Sequence, residues 1–331
     1  MGKLAKAIKA VTKAKIGIAK TPLITSLALT FKCNLRCSFC GIWKEHRRDI
    51  LTDEQIKQLI SEFSDGGMQI LIFTGGEPLL RNNIKEIIDF SNDCGIYTHL
   101  VTNGTLIKNR IREIKKIDSI SVSIDGPKNI HDKIRGKGVF EKSVEGLKIA
   151  RDNGIFSHII STITDEVTAN NCYGIKKLLE LSNDLGCKIN FQPIYVDQYN
   201  YLNLKEIFPK NFVEAIEIIQ HYKRKNKNVI GSNGYWNKLK DFKMNELKCY
   251  AGRLFCYVFP DGVVAPCYFT EKRGINGLEK GFLNAFNQLP SIEPHCPQCT
   301  CHGSNEFNLC FSLNFESMLN AINQLTGFAS K

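Results

Sequence analysis

The chain has 331 residues, 43% of them hydrophobic and 23% charged, which excludes a disordered or low-complexity protein. No apolar run reaches the roughly 18 residues of a membrane-spanning helix. The lysine-rich start lacks a continuous apolar stretch and a small-residue cleavage site, so no secretory signal is expected and the expected location is cytoplasmic. A formal net charge of +11 favours an anionic partner: a nucleic acid, an acidic peptide, a phosphorylated metabolite or a membrane surface.

Residues 1–20 place Leu4, Ile8, Val11 and Ile18 near helical spacing among Lys3, Lys6, Lys9, Lys13 and Lys20. This predicts a basic amphipathic helix, suited to a membrane surface or to packing across the open end of the main domain. Thr21-Pro22 ends it. Strand-like runs follow at 24–30, 69–74, 97–102, 119–124, 156–162 and 188–194. Helical patterns lie between and after them at 53–65, 82–93, 108–116, 139–153, 170–185 and 211–225. Thr52 and Gln55 form a capping box, and Gly95, Gly154 and Gly186 stand where left-handed helix ends are expected. Six strand–helix units imply an α/β fold with a parallel sheet and right-handed crossovers. Eight units would close a barrel, so the expectation is a partial (β/α)6 barrel over 21–235, with its chemistry at the C-terminal ends of the strands. Beyond about residue 226 the pattern gives way to turn residues. Residues 236–331 are expected to form a small cysteine-rich α+β domain.

Thirteen cysteines in a chain without an export signal point to metal ligation rather than disulfides. Cys94, Cys172 and Cys187 are scattered and fit small buried hydrophobes. Cys33, Cys37 and Cys40, in FKCNLRCSFCGIW, begin just past the first strand with the spacing C-x3-C-x2-C. Three thiolates can hold three irons of a cubane and leave the fourth without a protein ligand. A zinc site would need a fourth ligand, for which His46 in the exposed KEHRRD stretch is the nearby candidate. Phe39 is placed to shield a cluster from water.

FTGGEPLL follows the second strand: Gly75 and Gly76 form a turn that lets backbone approach a ligand, with Glu77 as an anionic partner and Pro78 after it. The third strand ends in VTNG and presents Asn103. The fourth ends in SVSIDG and presents Ser123 and Asp125, the latter equally suited to capping the turn before Pro127. Polar side chains at successive strand ends suit a nucleoside. Arg135, in HDKIRGKGVF, carries a guanidinium suited to a carboxylate.

The last 83 residues hold Cys249, Cys256, Cys267, Cys296, Cys299, Cys301 and Cys310. Pro260-Asp261-Gly262 between alternating apolar residues predicts a hairpin that carries Cys267. Cys296-x2-Cys299 has metal-ligand spacing, with His295 and His302 beside it. A zinc ribbon built on these residues, in a non-catalytic module, is the plain alternative.

The three-cysteine motif after a first strand, followed by GGEP within a six-unit βα pattern, resembles the radical S-adenosylmethionine (SAM) superfamily. The resemblance implies a [4Fe–4S] cluster on Cys33, Cys37 and Cys40 whose open iron takes the amino and carboxylate groups of SAM. It further implies reductive cleavage to a 5′-deoxyadenosyl radical that abstracts hydrogen from a substrate. Gly75, Gly76, Glu77, Pro78, Asn103, Ser123 and Arg135 would then bind SAM, and a flavodoxin or ferredoxin would supply the electron. Cys249-x12-Gly262-x4-Cys267 resembles the opening of the SPASM domain, which carries auxiliary iron–sulfur clusters. The later spacing, C-x2-C-x-C-x8-C, departs from that domain's usual C-x2-C-x5-C-x3-C. One or two auxiliary [4Fe–4S] clusters are expected on the seven late cysteines. No catalytic side chain is assigned; Gln192 and Tyr195 stand at the end of the sixth strand. The resemblance implies a peptide or protein substrate undergoing crosslinking, epimerisation or oxidation. The alternative is the same chemistry on a sugar, alcohol or membrane lipid, for which residues 1–20 would supply the membrane contact. No nucleic acid is expected.

Overall fold

The structure, a computed structural model, describes residues 12, 20–194, 208–226, 228–290, 292 and 299–319. Apart from Thr12 and Lys20, the helix expected over 1–20 lies outside the described residues, as do Tyr195, His295 and Cys296. Among the described residues no helix is long and apolar enough to cross a membrane.

Six strands alternate with helices: β1 (Ile24–Ala28), β2 (Ile70–Thr74), β3 (Tyr97–Thr102), β4 (Ser119–Ser123), β5 (Phe156–Ile163) and β6 (Lys188–Pro193). Each pairs in parallel with its sequence neighbour, as the right-handed crossover rule requires. This is the expected partial barrel. The sheet continues past it, in the order β6-β5-β4-β3-β2-β1-β7-β8-β9, through β7 (Phe255–Val258), β8 (Val263–Ala265) and β9 (Ile275–Asn276). β7 lies parallel to β1, with Ser26 opposite Tyr257. The division expected at residue 235 therefore does not divide the sheet.

The connecting helices are α1 (Asp53–Asp65), α2 (Ile84–Asp93), α3 (Ile107–Arg110), α4 (Lys128–Arg135), α5 (Val139–Asp152) and α6 (Asp165–Asp184). They are followed by α7 (Phe212–Lys225) and α8 (Asn233–Lys240), and later by α9 (Gly277–Lys280), α10 (Phe282–Gln288) and α11 (His302–Phe311). Thr52 and Gln55 exchange side-chain and backbone bonds at the start of α1, and Gly95, Gly154 and Gly186 all have positive φ. The helix expected over 108–116 shrinks to α3 and a 3-10 turn. There the Arg110 guanidinium binds the carbonyls of Leu79 and Arg81 at 2.8 and 3.0 Å and fixes the chain against the loop after β2. α4 was not expected, because Gly126-Pro127 read as a turn; Pro127 instead sits at the N-cap of a helix. α6 is broken by a left-handed turn at Asn170, Asn171 and Cys172, φ 51 to 57°.

Period-two alternation splits each strand between two faces. Leu71, Phe73, Leu100, Ile120, Val122, Ile159, Ile189 and Phe191 are fully buried in one core with Ile56, Leu59 and Phe63 of α1. The intervening residues face the concave lumen. On the β1–β2 side, Ile24, Ile70 and Ile72 pack against Tyr250, Leu254, Phe255 and Phe311, so the C-terminal segment fills that part of the lumen with apolar side chains. The β3–β5 side is polar. Ser121 Oγ lies 2.9 Å from His99 Nε2 and 2.7 Å from His158 Nε2, while His99 Nδ1 lies 2.6 Å from Ser119 Oγ. The two imidazoles stack with centroids 5.6 Å apart. Burial lowers His99 to a pKa of about 4 and His158 well below its ordinary value, so both are neutral at neutral pH.

Gly146 in α5 crosses the loop after β3 so closely that a Cβ there would stand 2.4 Å from the Gly104 carbonyl oxygen. Gly→Ala in an ordinary helix interior gains about 1 kcal/mol. Gly146→Ala is expected to lose about 1–3 kcal/mol instead, read as a lower urea midpoint.

Candidate functional site

The site is assembled at the C-terminal ends of β1 to β4, around the loop that follows β1. The Gly76 amide donates to Thr30 O and the Glu77 amide to Lys32 O, each at 2.8 Å. A Cβ on Gly76 would lie 2.1 Å from Lys32 O, and one on Gly75 (φ +126°) 2.5 Å from Thr30 O. The physical need for glycine here is contact with the chain that leads into the first cysteine, not only with a ligand. Asp49 closes the other side, accepting from the Phe31 amide at 2.8 Å and from Thr30 Oγ1 at 2.5 Å. Asn34, within the loop, accepts from Asn103 Nδ2 at 2.8 Å and donates to Thr105 Oγ1 at 2.9 Å. Asn103 thus ties the loop to the end of β3.

Glu77 is fully buried. Its carboxylate accepts from the amides of Leu79 and Asn103, at 3.0 and 2.9 Å, and from Thr102 Oγ1 at 2.8 Å. Burial raises its pKa against those three bonds. Pro78 starts the 3-10 turn Pro78–Leu80 behind it, with Pro78 and Leu79 buried and Leu80 exposed. Ser123, at the end of β4, is half-buried, and its hydroxyl has no partner among the described residues.

Cys33, Cys37 and Cys40 are free thiols within electrostatic reach of one another. Burial pushes Cys37 up to about 11 and raises Cys33 as well, so a metal must displace protons to bind. The Ser38 amide donates to Ile134 O at 2.9 Å, which docks the loop on α4. Arg135, the last residue of α4, donates from Nε to Asp125 Oδ2 at 2.5 Å. Its Nη1 lies 3.9 Å from Cys37 Sγ, and its guanidinium covers the Phe39 ring at 5.6 Å. Asp125, fully buried, also accepts from the Thr162 amide at 2.7 Å. Its contacts display neither a free group for a nucleoside nor a cap for the turn before Pro127, but a partner for Arg135.

Among the late cysteines, Cys249, Cys267 and Cys301 lie within electrostatic reach of one another. Cys256 does not join them. It is buried in β7 with its thiol 3.7 Å from Thr25 Oγ1, on the sheet face away from the lumen, and burial raises it to about 12. Cys310 stands apart on α11 beside Glu306. Cys299 carries a backbone carbonyl that accepts from Asn305 at 2.7 Å. Among the described residues no three Cys, His, Asp or Glu side chains converge tightly enough for one ion, as zinc requires. Thiolates of a cubane bind separate irons and stand farther apart. His46 is exposed, and His302 is buried against Tyr235 and Trp236.

Several contributors escape a reading of the sequence. Arg47, from the stretch that reads as solvated, pairs with Asp261 at 3.0 Å and with Glu271, and stacks on Phe31 and Phe259. It joins the first cysteine segment to the β7–β8 hairpin. Tyr268, next to Cys267, lies within electrostatic reach of Cys40. Gln192, at the end of β6, bonds the Thr300 carbonyl at 3.2 Å and the His302 amide at 2.9 Å, clamping the segment that carries Cys299 and Cys301.

The loop after Arg135 hangs on Asp132, which accepts from the amides of Gly138 (3.0 Å) and Phe140 (2.9 Å) and from Lys128 (2.8 Å). Burial raises this carboxyl, but the three bonds outweigh it and bring the pKa down to about 2. A depressed folded value means stabilisation that is complete above the unfolded pKa of about 3.9 and lost as pH falls to about 2. Asp132→Asn should cost about 1 kcal/mol at neutral pH. In urea titrations at a series of pH values, its deficit should close across that acid window.

A family model described as the radical SAM superfamily matches residues 27–179. The AdoMet-dependent heme synthase of Nitratidesulfovibrio vulgaris is 30% identical over 271 residues, covering 73% of this chain and 72% of the relative. The antilisterial bacteriocin subtilosin biosynthesis protein AlbA of Bacillus subtilis is 26% identical, over 88% of this chain and 67% of AlbA. Among solved structures, Streptococcus suis SuiB bound to S-adenosylmethionine aligns with a TM-score of 0.66 at 17% identity, covering 87% of this chain and 71% of SuiB. The anSMEcpe structure with bound AdoMet aligns at 0.60 and 19%, covering 85% and 82%. Three free thiols on a braced loop and an arginine, 10% exposed, beside Cys37 fit the [4Fe–4S] cluster and SAM used by this family. The chain is an enzyme of the radical SAM superfamily.

Proposed function

We propose that Cys33, Cys37 and Cys40 hold the [4Fe–4S] cluster and that the enzyme modifies a peptide bound in the barrel lumen. The observation that carries the first part is the loop of three free thiols, braced by Gly76, Asn103 and α4 at the C-terminal ends of the strands. When bound, the cluster and SAM supply an electron and a 5′-deoxyadenosyl radical for hydrogen abstraction. The chain's own residues bind and orient. The backbone of Gly75–Pro78 takes the SAM amino group; Glu77, expected to contact SAM itself, is instead buried behind that turn and braces it. Arg135 and Ser123 take polar groups on the β4 side, and Asn103 holds the loop. Phe39 and Arg135 keep water from the thiols. A flavodoxin or ferredoxin delivers the electron.

The peptide reading draws support from AlbA, named for bacteriocin biosynthesis, and from SuiB, whose structure is known with its precursor peptide. The lumen adds a chemical argument. On β3 to β5 it presents Ser119, Ser121, Ser123 and two neutral histidines, donors and acceptors suited to uncharged amides. The 30% identity to a heme synthase favours a second reading, a tetrapyrrole substrate. Its carboxylates would call for cations, which β3 to β5 do not present and of which β6 offers Lys188, opposite His158. Cys249, Cys267 and Cys301 are proposed as ligands of an auxiliary cluster that accepts an electron from the oxidised substrate.

Anaerobic reconstitution with iron and sulfide, then reduction with dithionite and SAM, should yield 5′-deoxyadenosine. Replacing Cys33, Cys37 or Cys40 by Ala should abolish that product. Cys256→Ala should keep the full iron content, whereas Cys301→Ala should lower it. A parent protein that binds no iron, or makes no 5′-deoxyadenosine, would sink the assignment. Assay of the loaded enzyme with a precursor peptide and, separately, with an iron porphyrin carboxylate separates the two substrate readings.

A further inference from the structure

Asp125 and Arg135 form a buried pair whose exposures, 0% and 10%, put two full charges in a low-dielectric setting beside one cluster thiol. The carboxylate is held from two sides, by the Thr162 amide of β5 on Oδ1 and Arg135 Nε on Oδ2, and the residue's backbone amide is fixed by donating to His131 Nδ1 at 2.9 Å. The guanidinium is held by Asp125, by the Phe39 ring and by its place at the C-terminus of α4, where a cation is favoured. With Nε committed to Asp125, Nη1 is aimed at Cys37 Sγ, 3.9 Å away. Cys37 cannot drift from it, because Ser38 is bonded to the preceding residue of the same helix.

We propose that this pair sets the reduction potential of the cluster on Cys33, Cys37 and Cys40, with Arg135 donating to the Cys37 sulfur and Asp125 as the positioning residue that fixes the donor and offsets its charge. The inference rests on the cluster assignment above. Reduction places one more negative charge on the cluster and its thiolates. A fixed cation and an N–H···S bond favour that state and raise the potential, while a neighbouring carboxylate lowers it. The two members therefore act in opposite directions on one quantity. Packing alone would not produce that outcome, since a loosened loop has no reason to respond with opposite signs to losing either partner.

The test is an EPR-monitored redox titration of the reconstituted full chain, following the cluster signal that changes when SAM is added. Arg135→Gln should lower the reduced fraction at a fixed solution potential on the order of tenfold, about 59 mV for one electron. Asp125→Asn, which keeps an oxygen for the Thr162 amide, should raise it. Arg135→Lys retains the charge without the planar fork and should fall between the parent and Arg135→Gln. Unchanged potentials in loaded Arg135→Gln and Asp125→Asn would overturn this inference and leave the cluster assignment standing. Absence of any SAM-responsive signal in the parent would instead remove the assignment itself. If Asp125→Asn fails to fold, the two arginine variants decide: equal potentials refute, and a lower value for Gln supports.

Discussion

The clasp between Gly75-Gly76 and the backbone of Thr30 to Lys32 is the contact on which the rest of the site depends. Parallel strands end side by side, but their loops normally diverge, since side chains hold backbones apart. Here two residues without side chains let the loop after β2 bond directly to the chain leaving β1. Glu77 is thereby delivered to the interior, where two amides and a threonine hydroxyl receive it, and one of those amides belongs to Asn103. Asn103 in turn grips Asn34 between the first two cysteines. One steric allowance at Gly76 thus propagates through a buried carboxylate to the loop that carries the thiols.

The C-terminal segment belongs to the same construction. β7 extends the sheet beyond β1, its hairpin meets Arg47 from the cysteine loop, and the chain before and after it lays Tyr250, Leu254 and Phe311 against the inside of β1 and β2. At the far edge Gln192 holds residues 300–302. An open sheet of six strands leaves a gap between its first and last members. The chain after residue 249 spans that gap, with contacts to both ends of the sheet.

Much of this was legible in the sequence, for reasons that can be assigned. The strands alternate cleanly because one face meets helices and the other a lumen, and the first cysteine loop declares itself by its spacing and its place after a strand. What was hidden depends on partners distant in sequence. Arg47 reads as a solvated charge because Asp261 and Glu271 lie more than two hundred residues on. Cys256 reads as a ligand by spacing, yet strand alternation turns it towards Thr25. The left-handed turn in α6 is permitted by two asparagines but not announced by them, and a buried Cys172 with positive φ has no sequence signature. Asp125 carried two readings, a nucleoside contact and a turn cap, and its pairing with Arg135 was hidden because the arginine stands ten residues on, across a helix that Gly-Pro did not announce.

The His99–Ser121–His158 arrangement constrains where protons can stand in the lumen wall. Ser121 has one hydroxyl proton and two imidazole nitrogens to satisfy, so it donates to one and accepts from the other. The two neutral rings must then be opposite tautomers. His158 Nδ1, a buried atom with no partner among the described residues, carries a hydrogen when His99 Nδ1 accepts from Ser119, and a lone pair when His99 Nδ1 donates. Passing from the first state to the second moves one proton across each of the three hydrogen bonds and also needs His158 Nδ1 to release a proton and Ser119 to regain one; only then is the net charge of the lumen wall unchanged.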